Sequence, residues 1–394
     1  MALFGKKKPS GAKAYGQLSQ RDRAITFFAE DGGSWPHFEP IVHELTTTHG
    51  LTVSYLTSSA TDPVLATTNS RLRAFDVGDG LGRTMMFQLL EAGVFVATLP
   101  RLGISVFPRS KKAKALGTQY INVFHSMAST HMIYDADGFD QYDTIMCVGP
   151  FMVDEIRARE QAFGLPAKQL VEHGYGRLDS IITKRAPVEA GPTTERASND
   201  VNVLIAPSWG PTCIFETCGV ELVHHLLSDG CTVVARPHPE TVKRTPDAIE
   251  RLRAAHGAHP SFTLEVDVAS QESLHRCDIM VSDWSGAALE YAFGLERPVL
   301  FIDVPRKVNN PEWQRLGIEP FEASVREQVG AIVSPADLAA VPAKIQSLVA
   351  EPAAFSGRIR TTRDASIFNV GSSGAVAAQH IATAVAPYLA KVSA

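Results

Sequence analysis

No stretch of this chain reaches the roughly 20 apolar residues of a membrane-spanning helix, and its start lacks the apolar core of a secretory signal. The expected location is the cytoplasm. Cysteine is scarce: the five, at positions 147, 213, 218, 231 and 277, are odd in number, and Cys213 and Cys218 lack the spacing of a zinc or thioredoxin-type pair. They read as reduced, mostly buried thiols. An excess of positive charge is missing too: the net charge is −5 and the pI near 6.2, which argues against nucleic acid as a partner. Histidines and carboxylates nowhere fall at clear metal-ligand spacing, so no structural metal and no tightly bound cofactor is expected. Internal repeats and low-complexity tracts are absent.

What is present is globular composition. Hydrophobic residues make up 45% and charged residues 20% of 394 residues, enough for about two domains. Two local basic segments stand out against the acidic balance. One is "MALFGKKKPSGAKAYG", with Lys6, Lys7, Lys8 and Lys13; the other is "RSKKAK", Arg109 to Lys114. Such segments either rest on anionic lipid, at about 1 kcal/mol per cation, or are simply solvated. The first reading adds a peripheral position on the inner face of the cytoplasmic membrane.

From Ala24 onward short β-type runs alternate with helical segments: "AITFFAED", "LTVSYLTS", "GVFVAT", "QYINVFHS" and "DTIMCVG" in a first half, "VNVLIAPS", "CTVVARPHP", "SFTLEV", "CDIMVSD" and "RPVLFIDVP" in a second. This alternation predicts parallel α/β sheets. "RAPVEAGPTTERASND" interrupts it with little apolar content. The expected organisation is a basic tail over 1–23, a first domain over 24–184, a linker over 185–200, a second domain over 201–350 and a helical tail over 351–394.

Open parallel sheets bind ligands at the carboxyl ends of their strands, so the loops there carry the candidates. After the first strand, Gly32 and Gly33 permit close backbone approach to a ligand or merely make a turn, and His37 follows. "VFHSMASTHMIY" puts His125 at a strand exit and His131 just beyond; either can act as a general base or be a satisfied structural histidine. "ARPHPE" clamps His238 between two prolines after Arg236, on a path the prolines predetermine, where both cations can meet phosphate. In "VSDWSGAALEYAFG" a buried strand leads through Ser282, Asp283, Ser285 and Gly286 into a helix, which makes either an anion site or ordinary N-caps. Glu290, further along, is either a ribose ligand or a surface carboxylate. Ser208 follows the first strand of the second half, and its neighbour Trp209 reads as core.

In order, "VFHS…FDQYDTIMCVGPF…GYGRLDSI…IAPSWGP…ARPHPE…VSDWSGAALEYAFGLERPVLFID" resembles the CDP-glycerol glycerophosphotransferases, the teichoic-acid primases and polymerases, from about Tyr120 to Asp303. The resemblance implies a GT-B fold, two Rossmann-like domains facing a central cleft, with C-terminal helices. It implies that His125 activates the acceptor hydroxyl, that His238 faces the donor phosphates, and that Ser282 to Gly286 hold the pyrophosphate. Arg177 and Asp179 match retained positions of a further motif. The donor side would comprise Arg236, Ser208, Ser282, Asp283, Ser285, Gly286, Glu290 and Arg177, and the acceptor side Gly32, Gly33, His37 and His131. Phe124 and Ser126 stand where the family has Trp and Gly, and Trp284 and Gly286 where it has Tyr and Ser.

The implied reaction moves glycerol phosphate, or a similar polyol phosphate, from CDP-glycerol to a glycan or lipid-linked acceptor, releasing CMP, with room for a loosely held Mg²⁺ on the donor phosphates. No nucleophile, base and orienter occur together, so direct in-line attack is expected. Two rival readings share these residues: a GT-B glycosyltransferase using a nucleotide sugar, and a non-catalytic module that binds a polyanion or a membrane.

Overall fold

The computed structural model describes residues 11–185, 201–266 and 271–393. The expectations for Lys6, Lys7 and Lys8, and for nearly all of the linker 185–200, lie outside the described residues.

Seven strands form one sheet: β1 (Ile25–Ala29), β2 (Val53–Thr57), β3 (Leu72–Asp76), β4 (Val94–Ala97), β5 (Gln119–Val123), β6 (Thr144–Cys147) and β7 (Gln169–Glu172). Six form another: β8 (Asn202–Ile205), β9 (Thr232–Ala235), β10 (Phe262–Leu264), β11 (Ile279–Ser282), β12 (Val299–Ile302) and β13 (Gly330–Val333). Every strand pair is parallel. Parallel strands need helical crossovers that cover both faces, which is why β4 (VFVA) and β12 (VLFI) are apolar throughout and, like β1 (ITFFA), fully buried, whereas the edge strand β7 (QLVE) is not.

The orders are β3-β2-β1-β4-β5-β6-β7 and β10-β9-β8-β11-β12-β13. Chain order reverses between β1 and β4 in the first sheet and between β8 and β11 in the second. At such switch points neighbouring loops diverge and leave room for a ligand.

Two compact units result. One comprises the chain up to His125, Asp135–Arg177 and everything from Phe368; the other comprises Ser126–Tyr134 and Leu178–Ile367. These units are not the contiguous stretches 24–184 and 201–350. The Ser126–Tyr134 segment belongs to the second unit because Glu322 accepts both the N–H and the hydroxyl of Ser129, at 2.8 Å each, and Asn310 donates to the His131 carbonyl at 2.8 Å. The tail expected over 351–394 divides. Its Pro352–Ser366 helix stays with the second unit, while the Ser373–Ser393 helix puts Ala377, Ala378, Ile381 and Val385 into the first unit's core. That helix lies so close to the Trp35–Thr47 helix that a Cβ on Gly374 would come within 2.8 Å of the Pro40 side chain.

Candidate active site

In the first unit, buried Phe124 follows the end of β5 and His125 comes next, at the surface. His125 Nδ1 lies 3.2 Å from the carbonyl oxygen of Thr98, the residue that leaves β4 at the switch point. A carbonyl only accepts, so Nδ1 carries the proton and the lone pair falls on Nε2, as a general base requires. His37, in the first turn of the Trp35–Thr47 helix, stands 6.4 Å from His125 between ring centres and 5.3 Å from Tyr175. It is buried, and its Nδ1 has no hydrogen-bond partner among the described residues. Burial, and then the positive fields of Arg177, His125 and His173, hold the His37 imidazole well below its ordinary pKa. Burial likewise pushes His173 down to about 4. His37 and His173 are therefore neutral at physiological pH.

The structure groups His125 with His37, and adds His173, Tyr175 and Thr98. Arg177, read from sequence as a donor-side residue, lies in this unit, where it acts on His37. Gly32 faces protein: a Cβ there would sit 2.8 Å from the Pro63 ring, so its smallness serves packing. Gly33 donates its N–H to Asp31 at 2.9 Å. His131 does not join the acceptor-side residues. It is buried in the second unit, with Nε2 3.0 Å from the Ile318 carbonyl and its ring beside Trp313.

In the second unit four loops meet at the carboxyl ends of β8, β9, β11 and β12. Pro237 and Pro239 set His238 in an extended conformation (φ −61°, ψ 142°) at the start of the Pro239–Arg244 helix, where Nδ1 accepts the Glu240 N–H at 3.1 Å. The proton of neutral His238 is therefore on Nε2, which makes that atom a donor suited to phosphate oxygen. Arg236 is turned inward, donating to Ser273 Oγ at 3.3 Å.

The residues of "VSDWSG" divide their labour. Ser282 is buried and donates to the Ala206 carbonyl at 2.7 Å. Asp283 accepts the Ser208 N–H at 2.7 Å and the Ile214 N–H at 3.1 Å, so its carboxylate ties down the β8 loop. Burial raises its pKa, against the opposing effect of those N–H groups. Ser208 is bound to Asp283 and buried. Ser285 caps the Gly286–Leu295 helix through Ala287 N–H at 3.3 Å. Gly286 opens that helix in a space so tight that a Cβ would fall 2.4 Å from Ser126 Oγ. Glu290 is buried within the helix, not a surface carboxylate.

Trp209 is half-buried and is not core. Its ring centre is 6.2 Å from that of His238, 3.8 Å from Lys307 Nζ and 5.1 Å from the Arg244 guanidinium carbon. Lys307, in the loop after β12, escaped the sequence reading. Burial lowers its pKa to about 8, against the opposing pull of Asp283, Cys213 and Glu240. Lys307 and Arg244 thus bring two cations to one indole, with the neutral His238 ring as a third neighbour, beside a capped helix start. Such a combination has the chemistry to hold an oxyanion next to a flat aromatic or sugar group.

Residues 82–306, more than half of the chain, match the model of a family described as CDP-glycerol:poly(glycerophosphate) glycerophosphotransferase. The chain belongs to this family of transferases. No curated protein matches it in sequence. Among solved structures it is similar to a UDP co-structure of S. aureus MnaA, at 12% identity over 93% of this chain and 96% of that one, TM-score 0.56. It is also similar to a UDP-glucose:anthocyanidin 3-O-glucosyltransferase in complex with UDP, at 9% identity over 93% and 100%, TM-score 0.55. A glycosyltransferase from Rickettsia africae matches at 9% identity over 93% and 98%, TM-score 0.53. At these identities the likeness shows the fold alone: the glycerophosphotransferase has the GT-B fold. Among the described residues no helix is long and apolar enough to cross a membrane, and no group of three or more histidine, cysteine or acidic side chains is placed to hold a metal ion.

Proposed function

We propose that the protein transfers a polyol phosphate, glycerol phosphate in the first instance, from a CDP-activated donor to a hydroxyl of a cell-surface glycan or lipid-linked acceptor. The observation that carries this reading is the convergence of His238, Lys307 and Arg244 on Trp209 at the strand ends of the second unit. The donor diphosphate binds there, with the His238 Nε2 proton and the Lys307 ammonium on its oxygens. The acceptor oxygen attacks the glycerol-bearing phosphorus in line, and the bond from that phosphorus to the bridging oxygen breaks. CMP leaves with the bridging oxygen and its negative charge, which the cations steady. His125 takes the acceptor proton on Nε2, the tautomer set by the Thr98 carbonyl.

In this reading the protein works at an anionic membrane surface. Support comes from the Leu81–Gln88 helix and its cap, where Leu81, Met85 and Leu89 recur every fourth residue and are 83%, 57% and 55% exposed. Thr84 of this helix reaches the Val106 carbonyl at 3.4 Å, beside the segment that continues into Arg109, Lys111, Lys112 and Lys114. An apolar stripe bordered by lysines suits a surface of anionic lipid.

The test is CMP release from CDP-glycerol in the presence of membrane acceptor, for wild type, His125→Ala and His238→Ala. Loss of about 100-fold or more in each variant fits a base and a charge-steadying donor. Unchanged turnover in both would refute the mechanism.

A further inference from the structure

β5 (QYINV) carries Asn122 between Ile121 and Val123, fully buried. An amide side chain is costly to bury unless it is hydrogen-bonded, so its bonds show what it contributes. Its Oδ1 has no hydrogen-bond partner among the described residues. Its Nδ2 donates to the Ala97 carbonyl at 3.3 Å and to the Leu99 carbonyl at 3.4 Å. Tyr142, also buried, donates its hydroxyl to the same Leu99 carbonyl at 2.7 Å. The carbonyl between these two belongs to Thr98, and it is the one that His125 Nδ1 meets at 3.2 Å. The consecutive carbonyls at the exit of β4 thus divide, the outer ones to Asn122 and Tyr142 and the middle one to His125.

The sequence makes this exit stiff. Leu99 precedes Pro100, so the peptide unit that joins them has no N–H, and the Leu99 carbonyl is its only hydrogen-bonding handle. The proline also holds Leu99 toward extended geometry. The Thr98 side chain is tied down separately, with its hydroxyl 3.0 Å from Ser34 Oγ and both residues buried. Ser34 is the N-cap residue of the Trp35–Thr47 helix, yet its hydroxyl makes no capping bond and meets Thr98 instead. With the peptide planes before and after it held, and the Thr98 side chain anchored, the Thr98 carbonyl has little freedom to turn away from His125.

That restraint has a chemical consequence. An unconstrained imidazole in water prefers its proton on Nε2, whereas a base that works through Nε2 needs the proton on Nδ1. A carbonyl supplies that tautomer only while it points at Nδ1.

We propose that Asn122 and Tyr142, together with the Ser34–Thr98 hydroxyl pair, are positioning residues for His125: they aim the Thr98 carbonyl so that the imidazole keeps its proton on Nδ1 and its lone pair on Nε2. The catalytic consequence rests on the transferase reading above, in which His125 is the base. The tautomer itself does not.

Nitrogen NMR of the full-length protein with isotopically labelled histidine reads the tautomer directly, at about pH 9, where an ordinary imidazole is neutral. The His125 signal is the one missing from His125→Gln. Tyr142→Phe and Thr98→Val each remove one hydrogen-bonding group at nearly constant shape, so both fold; Asn122→Leu removes the amide, and Thr98→Ser keeps the hydroxyl. In wild type the proton is on Nδ1. The ratio of Nδ1–H to Nε2–H forms falls about fivefold in Tyr142→Phe and in Thr98→Val, the factor that one ordinary hydrogen bond corresponds to. It falls further in Asn122→Leu and is restored in Thr98→Ser. The kcat for CMP release drops by a similar factor, with KM for CDP-glycerol within about twofold of wild type. A wild-type proton on Nε2, or a ratio unchanged in Tyr142→Phe and Thr98→Val, would overturn the inference. A tautomer shift that leaves CMP release untouched would instead remove His125 from the base role in the transferase reading and leave the positioning standing.

Discussion

Lys307 Nζ lies 3.8 Å from the centre of the Trp209 ring, and burial there lowers its pKa to about 8. A lysine that titrates near neutrality can hold donor phosphate only while protonated. Donor affinity therefore falls as pH rises through about 8, and Lys307→Arg, charged at all accessible pH, retains affinity to higher pH. Binding of CDP measured from pH 6.5 to 9.5 in the two proteins checks this. A wild-type profile as flat as that of the arginine variant would remove Lys307 from the donor site.

Asp283 accepts two backbone N–H groups, those of Ser208 and Ile214. Asp283→Ala leaves both buried, at a cost on the order of 1–3 kcal/mol each, so thermal stability and donor affinity drop together. Ser285→Ala, which removes only a helix cap, costs about 1 kcal/mol. Thermal melts with and without CDP distinguish the two. Equal effects would show that Asp283 does not organise the β8 loop.

How much of this was legible in the sequence depends on how far each property is set locally. Runs such as "ITFFA" and "VLFI" announce buried parallel strands because both faces must be apolar. The His238 backbone is fixed by its two proline neighbours, and the structure finds it extended as they dictate. The unit to which His131 belongs depends on where the Ser126–Tyr134 segment packs, and Glu322 and Asn310, far along the chain, decide that. Lys307 looks like a solvated loop cation until Trp209 is folded against it. Asp283 reads as a ligand by motif, and only the structure shows that its two oxygens also hold the Ser208 and Ile214 N–H groups. The small-residue face of the Ser373–Ser393 helix signals close packing without naming the partner, which Pro40 turns out to be.

His173 is buried with its pKa held near 4, against 6.5 in the unfolded chain. The unfolded state binds the proton first. This contribution to stability is therefore complete above pH 6.5 and is lost as pH falls toward 4, by roughly 3 kcal/mol at about 1.4 kcal/mol per pKa unit. Denaturant melts of wild type and His173→Gln across pH 4 to 7.5 should show the acid slope reduced in the variant. An unchanged slope would place the acid sensitivity elsewhere.

The exposed stripe on the Leu81–Gln88 helix and the neighbouring lysines act together in membrane binding. Met85→Ser with Leu89→Ser, and separately Lys111, Lys112 and Lys114→Gln, each reduce flotation with anionic vesicles, the lysine variant losing its salt dependence. Full flotation of both variants would exclude this face. Because all these side chains except Lys112, which pairs with Glu91, are exposed without ion pairs of their own, folding is preserved.

On the proposed function, the second unit holds a cytidine-diphosphate donor through His238 and Lys307. The most direct measurement is the thermal shift produced by CDP, CDP-glycerol, UDP and GDP in wild type, His238→Ala and Lys307→Met. Selective stabilisation by CDP and CDP-glycerol, weakened in both variants, is the predicted result. A preference for UDP or GDP, or cytidine binding indifferent to both substitutions, would contradict it.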